Sequence, residues 1–169
     1  MTDVPDYKKI FRLAESYTEA SLILRREMGG DGFEKSAPRL LVDSFAVELY
    51  LKCLYVLDTN KKPKRGHDWL KLFQALKPET QLAIREEFKR IIDSDVVLRN
   101  LETINPEAAK LKDFNRSLEA AKDTFDKRRY VYEGFSEKEW FYGHMLQQSV
   151  RNIAVMDIRL SGEVAYKDE

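Results

Sequence analysis

Cysteine is almost missing from this chain: Cys53 is the only one in 169 residues, which excludes an internal disulfide and any cysteine-based zinc cage. Histidine is nearly as scarce. Three residues before His67 stands Lys64, and three before His144 stands Phe141. Neither is the glutamate of the Glu-x-x-His pairs that build carboxylate-bridged metal sites in helical bundles, so neither metal nor cofactor is expected. Seven glycines and five prolines leave little material for tight turns and argue against a β-sandwich or barrel. No apolar run approaches the roughly 18 residues of a membrane span. The start Met1-Thr-Asp-Val-Pro-Asp lacks the basic-then-apolar pattern of a signal peptide. An excess of charge is absent too. Lys+Arg and Asp+Glu are both 29, so global attraction to nucleic acid or an anionic membrane is not expected, although local basic patches remain open. There is no Gly-x-Ser-x-Gly elbow, Walker loop or dinucleotide fingerprint, and the Gly29-Gly30-Asp31-Gly32 cluster follows no strand and reads as a connector.

What is present is helical periodicity in a globular composition, 43% hydrophobic and 34% charged. Tyr7, Ile10, Phe11, Ala14, Tyr17, Ser21 and Leu24 predict a helix from Asp6 to about Met28. A second, from about Pro38 to Leu57, carries three neighbouring apolar rows, headed by Leu41, Val42 and Val47. A helix apolar around most of its circumference should be the centre of a bundle. Its few polar residues, Asp43, Ser44, Glu48 and Lys52, fall in a narrower sector, with Glu48 and Lys52 an i,i+4 pair in the favoured order. A basic loop, Asn60 to Gly66, leads to a short helix carrying Leu70, Phe73 and Leu76, which Pro78 ends. A fourth helix, Glu79 to Asp93, should bury Leu82, Ile84, Phe88, Ile91 and Ile92. Ser94 to Pro106 reads as irregular. Leu111 to Phe125 predicts a fifth helix, and Glu137 to Leu160 the last. The expectation is an all-α, up-and-down bundle of about five to six helices. It forms a single domain over residues 1–169, with a core over about 6–160 and a frayed tail over 161–169, and is cytoplasmic.

Three segments set polar groups beside this core: Ser44-Phe-Ala-Val-Glu-Leu-Tyr-Leu-Lys-Cys-Leu54, Gly66-His-Asp-Trp-Leu-Lys-Leu-Phe73 and Phe125-Asp-Lys-Arg-Arg-Tyr-Val-Tyr-Glu133. In this order the chain resembles the HEPN (higher eukaryote and prokaryote nucleotide-binding) superfamily. Its members show an A-x-E-L-x-L-K-A-like central helix, a G-H-D-L start and a late Arg-Tyr-x-Tyr-Glu. The resemblance implies a HEPN-like bundle that often dimerises and works near RNA or nucleotides, frequently in toxin–antitoxin or antiviral systems, with an antitoxin or other protein as a further partner. Active ribonucleases of the superfamily carry an Arg-x4–6-His pair. Here that histidine is absent: Gly134, Phe135 and Ser136 follow Arg129, and His144 comes 15 positions after it.

The resemblance and the residues together nominate Glu48, Lys52, His67, Arg128, Arg129, Tyr130 and Tyr132 as ligand-binding. Arg129, His67 and His144 are the candidates should catalysis occur, with no metal. Each has a plainer role. Glu48 and Lys52 suit a structural ion pair, with Arg129 a natural partner for Glu48; His67-Asp68 suits a helix cap; His144 suits a solvated face; Cys53 suits inert packing. Lys127, Arg128 and Arg129 with Tyr130 and Tyr132 combine cations and aromatic faces, as single-stranded nucleic acid favours. The leading expectation is a domain that binds RNA, nucleotide or a partner protein. The alternatives are a metal-independent ribonuclease with a variant Arg/His pair, and a non-catalytic homodimeric module built on Trp140, Phe141 and Tyr142.

Overall fold

The computed structural model describes residues 4–28, 33–104, 112–121 and 137–160, and every regular element among them is helical. Seven helices follow in order: α1 (Tyr7–Met28), α2 (Phe33–Thr59), α3 (Trp69–Gln74), α4 (Pro78–Ser94), α5 (Val96–Ile104), α6 (Phe114–Ala121) and α7 (Glu137–Leu160). The all-α bundle expected from periodicity is the fold. Among the described residues no helix is long and apolar enough to cross a membrane.

Aspartate begins four of these helices. Oδ1 of Asp6 accepts from the Lys8 N–H at 2.9 Å, that of Asp68 from Lys71 at 3.0 Å, that of Asp95 from Leu98 at 2.9 Å and that of Asp113 from Arg116 at 3.0 Å. Each satisfies an amide that a helix start leaves unpaired and sets negative charge at the positive end of the helix dipole. α4 starts at Lys77-Pro78 without a side-chain cap of its own. Asp58, near the end of α2, supplies one from outside, accepting from the Lys77 N–H at 2.7 Å and the Thr80 hydroxyl at 2.8 Å.

Two boundaries differ from expectation. Residues 94–106 read as irregular, yet α5 forms there, capped by Asp95 and anchored by the fully buried Leu98. α2 begins at Phe33, so Pro38 lies inside it rather than at its start. One core assignment also fails. Leu82 is 56% exposed while Ile84, Phe88, Ile91 and Ile92 are buried. Two positions along a helix turn the side chain by about 200°, which carries Leu82 to the face opposite Ile84. The first and last residues of the expected fifth helix, Leu111 and Phe125, lie outside the described residues.

The expected central helix is central. α2 packs on α1, α3 and α7, while α4 and α6 pack on α7 and on each other. Leu40, Ala46, Val47, Tyr50, Leu51, Cys53, Leu54 and Val56 are buried along it and around it. α1 runs antiparallel to α2: the Cys53 thiol donates to the Tyr7 carbonyl, Phe11 meets Tyr50 edge-on at 6.0 Å and Tyr17 stacks on Phe45 at 5.3 Å. One apolar cluster, from Phe11 to Ile158, draws side chains from all seven helices. Two buried hydroxyls are satisfied within their own helices, Ser44 donating to the Leu40 carbonyl at 2.8 Å and Ser149 to that of Met145 at 2.8 Å, whereas the buried Ser117 hydroxyl has no protein partner among the described residues.

Burial pushes the Cys53 thiol up to about 12, helped by the carboxylates of Asp157 and Asp6, so packing is its role. Asp157 is itself held above the usual carboxylate range, first by loss of water and then by the charge of Asp58. Its proton is therefore held more tightly in the folded chain than in the unfolded one, and its contribution to stability falls as pH rises above the ordinary carboxylate range. Asp157→Asn is expected to raise the urea midpoint at pH 7 and to flatten the decline from about pH 4 upward. An unchanged or lower midpoint counts against this account.

Candidate functional site

The end of α2 and the loop after it build the site. Glu48, Lys52 and Tyr55 stand at i, i+4 and i+7, along one side of the helix. Asn60 ends α2 in a left-handed conformation (φ 50°), with its N–H still bonded to the Val56 carbonyl at 2.8 Å. At the far end of the loop Gly66 has φ +137°, and nothing lies within 4 Å of where a Cβ would stand. The backbone angle, rather than lack of space, therefore calls for glycine. This turn delivers His67 to α2.

Glu48 is 5% exposed, and both of its oxygens are engaged. Oε2 lies 2.6 Å from Nδ1 of His67, and Oε1 accepts from the Lys52 ammonium. A buried carboxylate is costly without partners, and here it has one from its own helix and one from the loop. The His67 side chain is 44% exposed, so the ring runs from the buried carboxylate to the surface. A carboxylate on one ring nitrogen fixes the orientation and tautomer of an imidazole, the arrangement used both to hold phosphate and to move protons. Asp68, next in sequence, caps α3. The expected His67-Asp68 cap is thus divided, with Asp68 capping and His67 pairing with Glu48.

Three of the nominated residues, Glu48, Lys52 and His67, are therefore in contact. Arg128, Arg129, Tyr130 and Tyr132 lie outside the described residues, as does the expected Glu48–Arg129 pair. His144 belongs to α7, and its side chain likewise lies outside them, as do those of Trp140, Phe141 and Tyr142. Among the described residues no group of three or more His, Cys, Asp or Glu side chains is placed to share a metal ion.

A second polar cluster escaped the sequence reading. Glu15 on α1 takes a bidentate pair from Arg151 on α7, Nε to Oε1 at 2.9 Å and Nη2 to Oε2 at 2.7 Å. The Tyr50 hydroxyl of α2 donates to the same Oε1 and lies 2.8 Å from the Thr18 hydroxyl. Burial, followed by the bond to Glu15, raises the Tyr50 hydroxyl above its ordinary range, and the Glu15 carboxylate raises Arg151. Both groups therefore keep their protons at any physiological pH, and the cluster acts as a fixed clamp of three helices. The pair spans 136 positions, and no local spacing announces it. A basic groove beside α3 was also missed as a cavity, although Lys64 and Arg65 of its lining were visible in the basic loop. No protein-family model, curated protein or solved structure matches the chain.

Removing one partner of the buried pair leaves the other exposed to its desolvation cost. Glu48→Ala should destabilise by about 2–4 kcal/mol, and Glu48→Leu with Lys52→Met should recover at least half of that loss. A double variant no more stable than the single one would mean that the pair does not share its burial cost. At the clamp, where Arg151 is 39% exposed, a Glu15/Arg151 double-mutant cycle should give a coupling of about 1–2 kcal/mol, below that of a fully buried pair. Chemical denaturation of the four proteins measures it.

Proposed function

We propose that this chain is a HEPN-like helical domain that binds RNA or a nucleotide without Arg-x4–6-His ribonuclease chemistry, acting as a homodimer in a defence or toxin–antitoxin setting. The observation that carries the reading is the meeting of Glu48, Lys52 and His67, two from the central helix and one from the loop after it. These are the residues that the ordered motifs nominated, and the imidazole they orient is partly exposed. Lys61, Lys62, Lys64 and Arg65 in the adjoining loop supply the local positive charge that the neutral chain lacks as a whole. Arg128, Arg129, Tyr130 and Tyr132 belong to the proposed surface on the strength of the sequence alone. A protein partner such as an antitoxin is the other occupant of this surface.

The carboxylate on His67 favours a second reading, a ribonuclease in which His67 moves the proton and Arg129 stabilises charge on phosphorus. One gel separates the two. The protein, His67→Ala and Arg129→Ala, each checked for native circular dichroism and for mass by light scattering, are incubated with mixed cellular RNA. A mobility shift without cleavage is expected, with affinity reduced about 5–10-fold in each variant. Cleavage that disappears in folded His67→Ala would establish the ribonuclease instead. Neither shift nor cleavage by the parent protein at tens of micromolar would end both readings and direct the search to protein partners.

A further inference from the structure

A groove of about 380 Å³ opens between the loop after α2 and α3. Lys64 and Arg65 of the loop and Lys71 of α3 supply its charge, and Tyr55, Pro63 and Leu72 much of its apolar surface. Gly66 and Asp68 line it as well, whereas His67 between them turns to Glu48. Glu48, Lys52 and His67 are not among the residues that line the groove. Beside the groove Asn60 and Gly66 hold positive φ angles, and Asp68 accepts from the Lys71 N–H at 3.0 Å.

The groove carries net positive charge in a chain that is neutral as a whole. Lys64 and Arg65 form no ion pair among the described residues. The one acid in the groove, Asp68, is engaged by the Lys71 ammonium at 2.9 Å and by the α3 amide. Three cations and one carboxylate leave the groove with two positive charges. That matches one phosphate monoester, which carries about 1.5 to 2 negative charges at neutral pH, better than a phosphodiester, which carries one. Its volume lies at the small end of ligand pockets, enough for one phosphate and one ring and not for a run of nucleic-acid backbone.

We propose that this groove binds a phosphate monoester, with the phosphate held by Lys64, Arg65 and Lys71 and the organic body lying on Tyr55 and Leu72. The proposal does not rest on any role for Glu48, Lys52 or His67. Arg65 supplies a planar fork for two phosphate oxygens, and the two lysines supply point charges. The monoester has two possible sources, a free phosphorylated small molecule or the 5′-phosphate end of an RNA, and both present the same chemistry to the groove.

Isothermal titration of the full chain with AMP, adenosine and phenyl phosphate tests the site, and a short RNA carrying either a 5′-phosphate or a 5′-hydroxyl tests the source. AMP and phenyl phosphate should bind and adenosine should not. The exposed pair Lys64→Glu with Arg65→Glu should weaken AMP binding at least about tenfold, while Lys89→Glu, at an exposed cation of α4 outside the groove, leaves it within about twofold. Preference for the 5′-phosphorylated RNA over its 5′-hydroxyl form, abolished by the same double variant, assigns the RNA end as the source. Binding of AMP alone, with the two RNAs equivalent, assigns a free small molecule. Equal affinity for AMP and adenosine overturns the proposal. So does an AMP affinity that the charge reversal leaves intact, and so does no binding of any monoester at millimolar concentration. Loss of AMP binding in His67→Ala with none in the charge-reversed protein would move the phosphate to the Glu48 cluster.

Discussion

A helix buried around most of its circumference has little contact with water, so the polar groups it carries must find partners among its neighbours or cost several kcal/mol each. α2 is that helix, and its polar side chains arrange much of the molecule around it. Glu48 needs two partners and takes them from Lys52 and from His67, which holds the following loop against the bundle. Tyr50 needs one for its hydroxyl and finds it in Glu15, whose other contacts bring in Arg151 of the last helix. Asp58, at the far end, replaces the missing cap of α4. Apolar burial drives the collapse, and these few polar contacts set which loop and which helix meet α2 at which turn.

The same requirement explains why stability and function are hard to separate at this site. A glutamate that must be neutralised inside the bundle holds a histidine at the surface in one orientation. A structural role and a ligand-facing role are both served by that one contact. The basic loop differs. Lys64 and Arg65 make no ion pair with the described acids and contribute nothing to the core, so core packing gives no account of their place beside the groove. Repulsion among four cations within the five residues 61–65 works against the compact state, a cost that an anionic ligand would relieve.

Much of this was legible in the chain before any coordinate. Periodicity located the first, second and last helices to within a few residues, and the all-round apolar pattern of α2 announced its central place. The i,i+4 spacing of Glu48 and Lys52 announced their contact. The aspartates at 6, 68, 95 and 113 were equally readable as helix starts. α5 was not legible from apolar periodicity, although Asp95 stands at its start. Leu82 is apolar yet exposed, because apolar character does not by itself tell which of two opposite helix faces is covered.

The sequence by itself determined what depends on neighbours a few residues apart: which segments coil, where aspartate starts them, which helix is apolar around most of its circumference, and where charge accumulates in a loop. Those features follow from helical geometry and from short-range hydrogen bonds, whose partners lie within one or two turns. Only the tertiary structure decided that His67 turns back to Glu48 rather than capping α3, that Glu15 meets Arg151 across 136 positions, and that the basic loop and α3 enclose a groove. Such pairings are settled by where whole helices come to rest. That position depends on the sum of many weak apolar contacts, which local spacing does not encode.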